Sequence, residues 1–172
     1  MKLYYDEIDS PIGPLTLISN GDQLIRIDYG PMQNMNEKRL KWFLKQYSTP
    51  EYVYDKELFK EIRVEIEEYF FEGRKTFSIP LLFHGTPFQK EVWQTLFEHI
   101  SFGETKTYKE IASLIGNPKA VRAVGGAINQ NPFSIVVPCH RVIGVNGKLV
   151  GYNGGLDKKE FLLQHEGILL KS

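Results

Sequence analysis

Thr107-Tyr108-Lys109-Glu110-Ile111-Ala112-Ser113-Leu114-Ile115-Gly116-Asn117-Pro118-Lys119-Ala120-Val121-Arg122-Ala123-Val124-Gly125-Gly126-Ala127-Ile128-Asn129 is the stretch from which the fold can be read. Thr107 and Glu110 have the spacing of a capping box, so a short helix opens there with Ile111, Ala112 and Ile115 turned inward, and Gly116 stops it. Asn117-Pro118 starts a second helix. On it Val121, Val124 and Ile128 share a face suited to a core, while Arg122, Gly125, Gly126 and Asn129 fall on the other. Two short helices joined by a tight glycine-containing turn read as a helix-turn-helix. Each glycine inside a helix costs about 1 kcal/mol relative to alanine. Gly125 and Gly126 therefore mark a place where another body comes close, either a packed helix or a docked partner.

Upstream, Thr86-Pro87-Phe88-Gln89 is another capping box, with proline at the first helical position, leading into Phe88, Val92, Leu96 and Ile100 on one face. Downstream, Val142 to Val145, Asn146-Gly147 and Lys148 to Val150 carry a hairpin signal that would serve as a wing beside the helix-turn-helix. A last helix is expected from Leu156, with Phe161, Leu162 and Leu163 apolar, ending at Glu166-Gly167. The clear helix start at Thr86 sets a domain boundary, giving domains 1–85 and 86–172. In the first, Lys2–Asp6, Leu15–Ser19 and Leu24–Tyr29 alternate like strands, with turn signals at Gly13-Pro14 and Asn20-Gly21. An antiparallel sheet of about three strands follows from this. Helical periodicity then appears in Glu37–Tyr47 (Leu40, Phe43, Leu44, Tyr47) and Lys56–Phe71 (Leu58, Ile62, Ile66, Tyr69, Phe70). The fold class is thus α+β.

The 172 residues are 42% hydrophobic and 24% charged, the composition of an ordinary globular chain. Acidic residues appear by Asp6 and no long apolar run follows, so neither a signal peptide nor a membrane span is expected, and a cytoplasmic location fits. Net charge is zero, but residues 1–85 carry −3 and residues 86–172 carry +3, making the second half the candidate for a polyanion. The single cysteine, Cys139, follows Ile135-Val136-Val137-Pro138 and precedes His140. It cannot form an intramolecular disulfide or a cysteine-rich zinc site, which leaves packing, redox sensing or nucleophilic attack. A nucleophilic thiol needs a base, and His140 is next to it in sequence. The imidazole in turn needs an orienting acceptor, and composition does not choose among Glu91, Glu98, Glu104, Glu110, Asp157, Glu160 and Glu166.

Pro138-Cys139-His140-Arg141 after Ile135-Val136-Val137 resembles the active-site motif of the O6-alkylguanine-DNA alkyltransferases, or methylated-DNA–protein-cysteine methyltransferases. The likeness extends, in order, through Gly103-Glu104-Thr105 with Tyr108, Gly116 to Ala120, Arg122 to Ala127, Asn131-Pro132, Gly151-Tyr152 with Gly154-Gly155-Leu156, and Leu162-Leu163 with Glu166-Gly167. The first half is similar to the family's ribonuclease-H-like domain in its strand and helix plan. Departures from the common pattern fall at Ser101-Phe102, Ser134 and Asn153, the last two beside the implied pocket.

The helix-turn-helix and the hairpin signal make the second domain winged-helix-like, and the resemblance implies single-turnover repair, in which Cys139 takes an alkyl group from O6 of guanine in double-stranded DNA. O4 of thymine is a further implied target. His140 would act as base through a water, Glu166 would hold His140, and Tyr108 would hydrogen-bond or protonate the departing guanine. Arg122 would fill the gap left by the flipped nucleotide, from a helix lying in the minor groove with Gly125 and Gly126 against the DNA. Asn131 would tie that helix to the active-site strand, Ile135-Val136-Val137. Ile128 and Tyr152 would wall the pocket, and the main chain at Cys139, Val142 and Asn153 would read the guanine edge. No cofactor and no metal are implied, and a monomer is expected. A lesion binder without transfer, a winged-helix transcription factor and a Cys-His hydrolase are the alternative readings; the first is disfavoured by the presence of Cys139.

Overall fold

The computed structural model describes residues 1–170. Residue contacts divide the chain after His84. In the first unit, β1 (Lys2–Ile8), β2 (Leu15–Ser19) and β3 (Leu24–Tyr29) form an antiparallel meander, as their alternation predicts. The turn between β2 and β3 spans four residues rather than two, because the Asn20 side chain accepts from the backbone N–H of both Asp22 and Gln23 at 2.9 Å. A fourth strand, β4 (Glu51–Tyr54), joins the sheet parallel to β1 and gives the order β3-β2-β1-β4. It has no apolar alternation of its own, since its residues are half-buried or exposed. The crossover between β1's sheet and β4 includes α1 (Glu37–Tyr47), capped by the Asn36 side chain.

β2 is buried along its whole length because both faces of the sheet are covered. On one face Leu3, Ile18 and Ile25 pack with Phe43 of α1. That face also buries Asp28, paired with Arg26 at 3.0 Å and Arg39 at 3.2 Å, with Arg26 lying 4.6 Å from the Trp42 ring centre. The opposite face presents Asp6 to Arg63 of α2 (Lys60–Phe71), a helix entered through a 3-10 turn at Lys56–Phe59. Phe43, Ile62, Ile66, Tyr69 and Phe70 are buried as periodicity predicts, whereas Leu40, Leu44 and Leu58 are exposed. Apolar spacing on α1 outlined a wider stripe than the sheet covers, and the aromatic ring of Phe43 occupies the contact instead.

In the second unit both capping boxes form. Thr86 and Gln89 exchange bonds of 3.0 and 3.1 Å at the start of α3 (Pro87–His99), and Thr107 and Glu110 exchange bonds of 3.2 and 3.1 Å at the start of α4 (Tyr108–Leu114). Gly116, at φ +76°, ends α4 while Asn117 N–H returns to the Ala112 carbonyl. Helix α5 (Val121–Asn129) packs against α3 and α4, and the Trp93 indole of α3 donates to the Ala127 carbonyl at 2.7 Å. Its core face is Val124, Ala127 and Ile128, and Val121 at the helix start is 37% exposed, contrary to the face read from sequence. The expected wing hairpin forms only as a closed turn, in which Gly144 N–H donates to the Lys148 carbonyl at 3.0 Å. Val142–Ile143 instead form β6, parallel to β5 (Lys106–Thr107), while Lys148 to Val150 lie outside any strand. Asn146-Gly147 sits in a three-residue hairpin loop and not the two-residue turn its sequence favours: Gly147 N–H reaches the Gly144 carbonyl at 2.9 Å, and Gly147 is at φ +74°. Helix α6 (Leu156–His165) completes the unit.

Candidate active site

The residues leading to Cys139 are held by turns and not as a strand. Ile135 has φ +73°, and Val136 N–H bonds to the Ser134 carbonyl at 2.8 Å, a three-residue turn that a β-branched residue adopts only under constraint. A second such turn follows at Pro138, where Cys139 N–H reaches the Val137 carbonyl at 2.8 Å. Asn131 supplies the constraint. Its amide nitrogen donates to the carbonyls of Val137 at 2.9 Å and Phe133 at 3.3 Å, and its oxygen accepts from Phe133 N–H at 2.8 Å. Because Asn131 follows α5 directly, the helix end and the cysteine segment are fixed to each other through one buried side chain.

Cys139 opens a 3-10 turn, Cys139–Arg141, and its thiol faces the Ile128 carbonyl at 3.5 Å. Burial pushes the thiol pKa up to about 12, against smaller opposing pulls from Asn131 and from the charge of Lys159. At neutral pH it is therefore an uncharged thiol. His140 turns away into the protein, fully buried, with Nε2 2.7 Å from Glu166 Oε2. Burial lowers its pKa and outweighs the pull of Glu166, so the ring is neutral near pH 7. Nε2 then carries the proton donated to Glu166, which leaves Nδ1, buried and without a partner among the described residues, as the basic nitrogen. Burial would raise the Glu166 carboxyl, but its bonds and attraction to His140 and Arg141 hold it well below the usual carboxylate range. Arg141 grips both carboxylate oxygens, at 2.7 and 3.1 Å, and its remaining arm donates to the Ile100 carbonyl at 2.7 Å.

A cavity of about 360 Å³ opens onto Cys139. Tyr108, Gly125, Ile128, Asn131, Tyr152 and Asn153 line it with the cysteine, joining α4, α5 and the segment before α6. Burial raises the Tyr108 phenol, and the nearby Cys139 sulfur adds to the effect, so the hydroxyl stays protonated; it donates to the Val150 carbonyl at 3.2 Å. His140, Glu166 and Val142 lie behind the cavity, Val142 within β6. Arg122 and Gly126 are outside it on the exposed face of α5, where a side-chain carbon placed at Gly126 would meet nothing within 4 Å.

Lys159 is a site residue that sequence reasoning missed. Fully buried on α6, its ammonium donates to the carbonyls of Val142 at 2.6 Å, Val150 at 3.1 Å and Gly151 at 3.3 Å. Burial lowers its pKa to about 8, with Cys139 acting in the opposite direction. Its signal was positional: a lysine three residues after Leu156 and four before Leu163 stands on a helix face otherwise given to apolar residues.

Residues 3–83 match the family model described as the ribonuclease-like domain of 6-O-methylguanine DNA methyltransferase, and residues 87–168 match its DNA-binding domain. The Methanosarcina acetivorans methylated-DNA–protein-cysteine methyltransferase is 48% identical over 165 residues, which cover 96% of this chain and 99% of the relative. The chain belongs to the methylated-DNA–protein-cysteine methyltransferase family. A Haemophilus influenzae member is 45% identical over 96% of the chain and 87% of its own length. Among solved members, the Mycobacterium tuberculosis OGT in complex with DNA superposes with a TM-score of 0.80 at 38% identity, covering 96% of this chain and 92% of that one. The O6-methylguanine-DNA methyltransferase of Pyrococcus kodakaraensis gives 0.67 at 26% identity, covering 96% and 99%. No described helix is long and apolar enough to cross a membrane.

Proposed function

We propose that this chain repairs double-stranded DNA by moving an alkyl group, chiefly methyl, from O6 of guanine, and also from O4 of thymine, onto Cys139. The observation that carries the reading is a neutral, buried thiol at a cavity of nucleobase size, backed by a neutral histidine whose second nitrogen is held by an ionised glutamate. The sulfur attacks the alkyl carbon, the C–O6 bond breaks, and its electron pair passes to the guanine. The thiol proton goes to His140 Nδ1 through a water, and Glu166 stabilises the imidazolium that forms. Arg141 keeps Glu166 charged and in place. Tyr108, protonated and lining the cavity, gives a hydrogen bond or a proton to the guanine as it leaves. The thioether is not reversed, so each chain acts once.

The exposed face of α5 is the DNA surface in this reading. Gly125 and Gly126 let the helix press into the minor groove, and Arg122 occupies the stack vacated by the flipped guanine. Extruding a base costs a few kcal/mol, which favours lesions that already pair poorly. Ile128 and Tyr152 form the pocket walls, and the main chain at Cys139, Val142 and Asn153 reads the guanine edge. DNA binding and transfer belong to residues 86–172, with 1–85 as the ribonuclease-H-like domain. We place the protein in the cytoplasm as a monomer, where the reducing environment keeps Cys139 a thiol. Titration with duplex carrying radiolabelled O6-methylguanine tests the reading. Label should enter the protein up to one methyl per chain and then stop, and Cys139→Ser should take none; repeated turnover, or binding without uptake, overturns it.

A further inference from the structure

Ser134 is a pocket-lining residue whose hydroxyl is uncommitted. The residue is 7% exposed and borders the same cavity as Cys139. Its backbone carbonyl accepts from Val136, but its hydroxyl has no hydrogen-bond partner among the described residues. The other polar groups of the wall are engaged or lie at the rim. Asn131 is spent on Phe133 and Val137, Tyr108 donates to Val150, and Asn129 and Asn153 are exposed. Tyr152 is half-buried and has an interaction of its own, and Val121, Ile128 and Val150 are apolar. A hydroxyl in such a wall favours a ligand that pairs with it and penalises one that covers it unpaired.

A methyl group ends at the carbon that the sulfur attacks. A longer alkyl group must send its second carbon into the cavity, where Ser134 is the uncommitted polar contact on offer. We propose that Ser134 makes this protein select, among O6-alkyl groups longer than methyl, those with a hydroxyl on the second carbon, with 2-hydroxyethyl as the representative substrate. The proposal rests on the alkyl-transfer reading. In the reaction the S–C bond forms at the first carbon, the C–O6 pair passes to guanine, and guanine takes up a proton as the thiol proton leaves to His140. The terminal hydroxyl is unchanged and stays bonded to Ser134.

The test measures single-turnover transfer from duplexes carrying O6-(2-hydroxyethyl)guanine and O6-ethylguanine, read as a rate ratio within each protein so that any general loss of rate cancels. The parent should favour hydroxyethyl by about five- to tenfold, the worth of one net hydrogen bond. The ratio should fall to about one in Ser134→Ala and in Ser134→Gly, and persist in Ser134→Thr, which keeps the hydroxyl. A parent ratio of one or less, or a ratio unmoved by loss of the hydroxyl, overturns the proposal. A parent that takes no methyl from O6-methylguanine duplex fails the alkyl-transfer reading instead, so the two failures are separable.

Discussion

At the scale of single residues, chemistry at Cys139 depends on where one proton goes. A thiol with a pKa of about 12 holds almost no thiolate at pH 7, so a free-thiolate reaction would speed up about tenfold per pH unit. Proton removal by neutral His140 gives a different profile. Single-turnover transfer is expected to be nearly level from pH 7 to 9 in the parent and to climb steeply over that range in His140→Gln. The same groups set acid stability. His140 has a lowered pKa in the fold, so below its ordinary value near 6.5 the unfolded chain gains a proton that the folded chain refuses, and stability falls as pH drops from there. Glu166 is also lowered, so its contribution is full above its ordinary value near 4.5 and is lost only as pH falls through the depressed one. Thermal melts should therefore show Tm falling from about pH 6.5 downward. Asn131→Ala removes three bonds around the constrained Ile135 turn and leaves buried backbone groups unpaired. It should cost about 1–3 kcal/mol in denaturant unfolding and slow transfer by more than tenfold. Cys139 and His140 stood out in the sequence, whereas Glu166 was chosen among seven acids only through the family resemblance, since its place depends on where the end of α6 falls in three dimensions.

At the scale of elements, the strongest sequence signals were the local ones. Both capping boxes form with both reciprocal bonds, because their chemistry is complete within four residues. What the sequence left illegible depends on distant partners. β4 has no alternation to announce it and is a strand only because β1 offers an edge. The wing hairpin, clear in composition, closes its turn but extends no strands from it, because Val142 pairs with Lys106 and the Val142 and Val150 carbonyls are both taken by Lys159. The Ile135 turn could not be read from three β-branched residues that ordinarily favour a strand. Lys159 also gives this scale its prediction. By joining β6 to the Val150–Gly151 segment, it holds one wall of the cavity against the cysteine turn. Lys159→Met should speed amide hydrogen exchange in residues 150–153 and lower the transfer rate by roughly tenfold, the worth of a charge-assisted hydrogen bond. Unchanged exchange in that segment would remove the clamp role.

At the scale of the whole molecule, the charge asymmetry between the two halves agrees with a second domain that meets DNA, but +3 over residues 86–172 is a small positive charge. Recognition by groove shape and base extrusion needs less charge than non-specific phosphate binding, and in the proposed function it puts the burden on Arg122. Arg122→Ala should weaken repair of duplex DNA by tenfold or more while leaving reaction with free O6-methylguanine base within about twofold, since only the duplex leaves a gap to fill. Equal losses on the two substrates would count against a base-replacing role. The boundary at Thr86 was read from a helix cap, a signal complete within four residues, whereas the cavity walls come from three separate parts of the chain and were named only through the family resemblance. All of these statements depend on Cys139 being the alkyl acceptor, and with a single cysteine in the chain that claim can be tested cleanly. The decisive measurement is intact and peptide mass after mixing with O6-methylguanine duplex: one CH2 gained per chain, located on Cys139, is predicted, and no gain, or a gain on any other residue, would contradict the account.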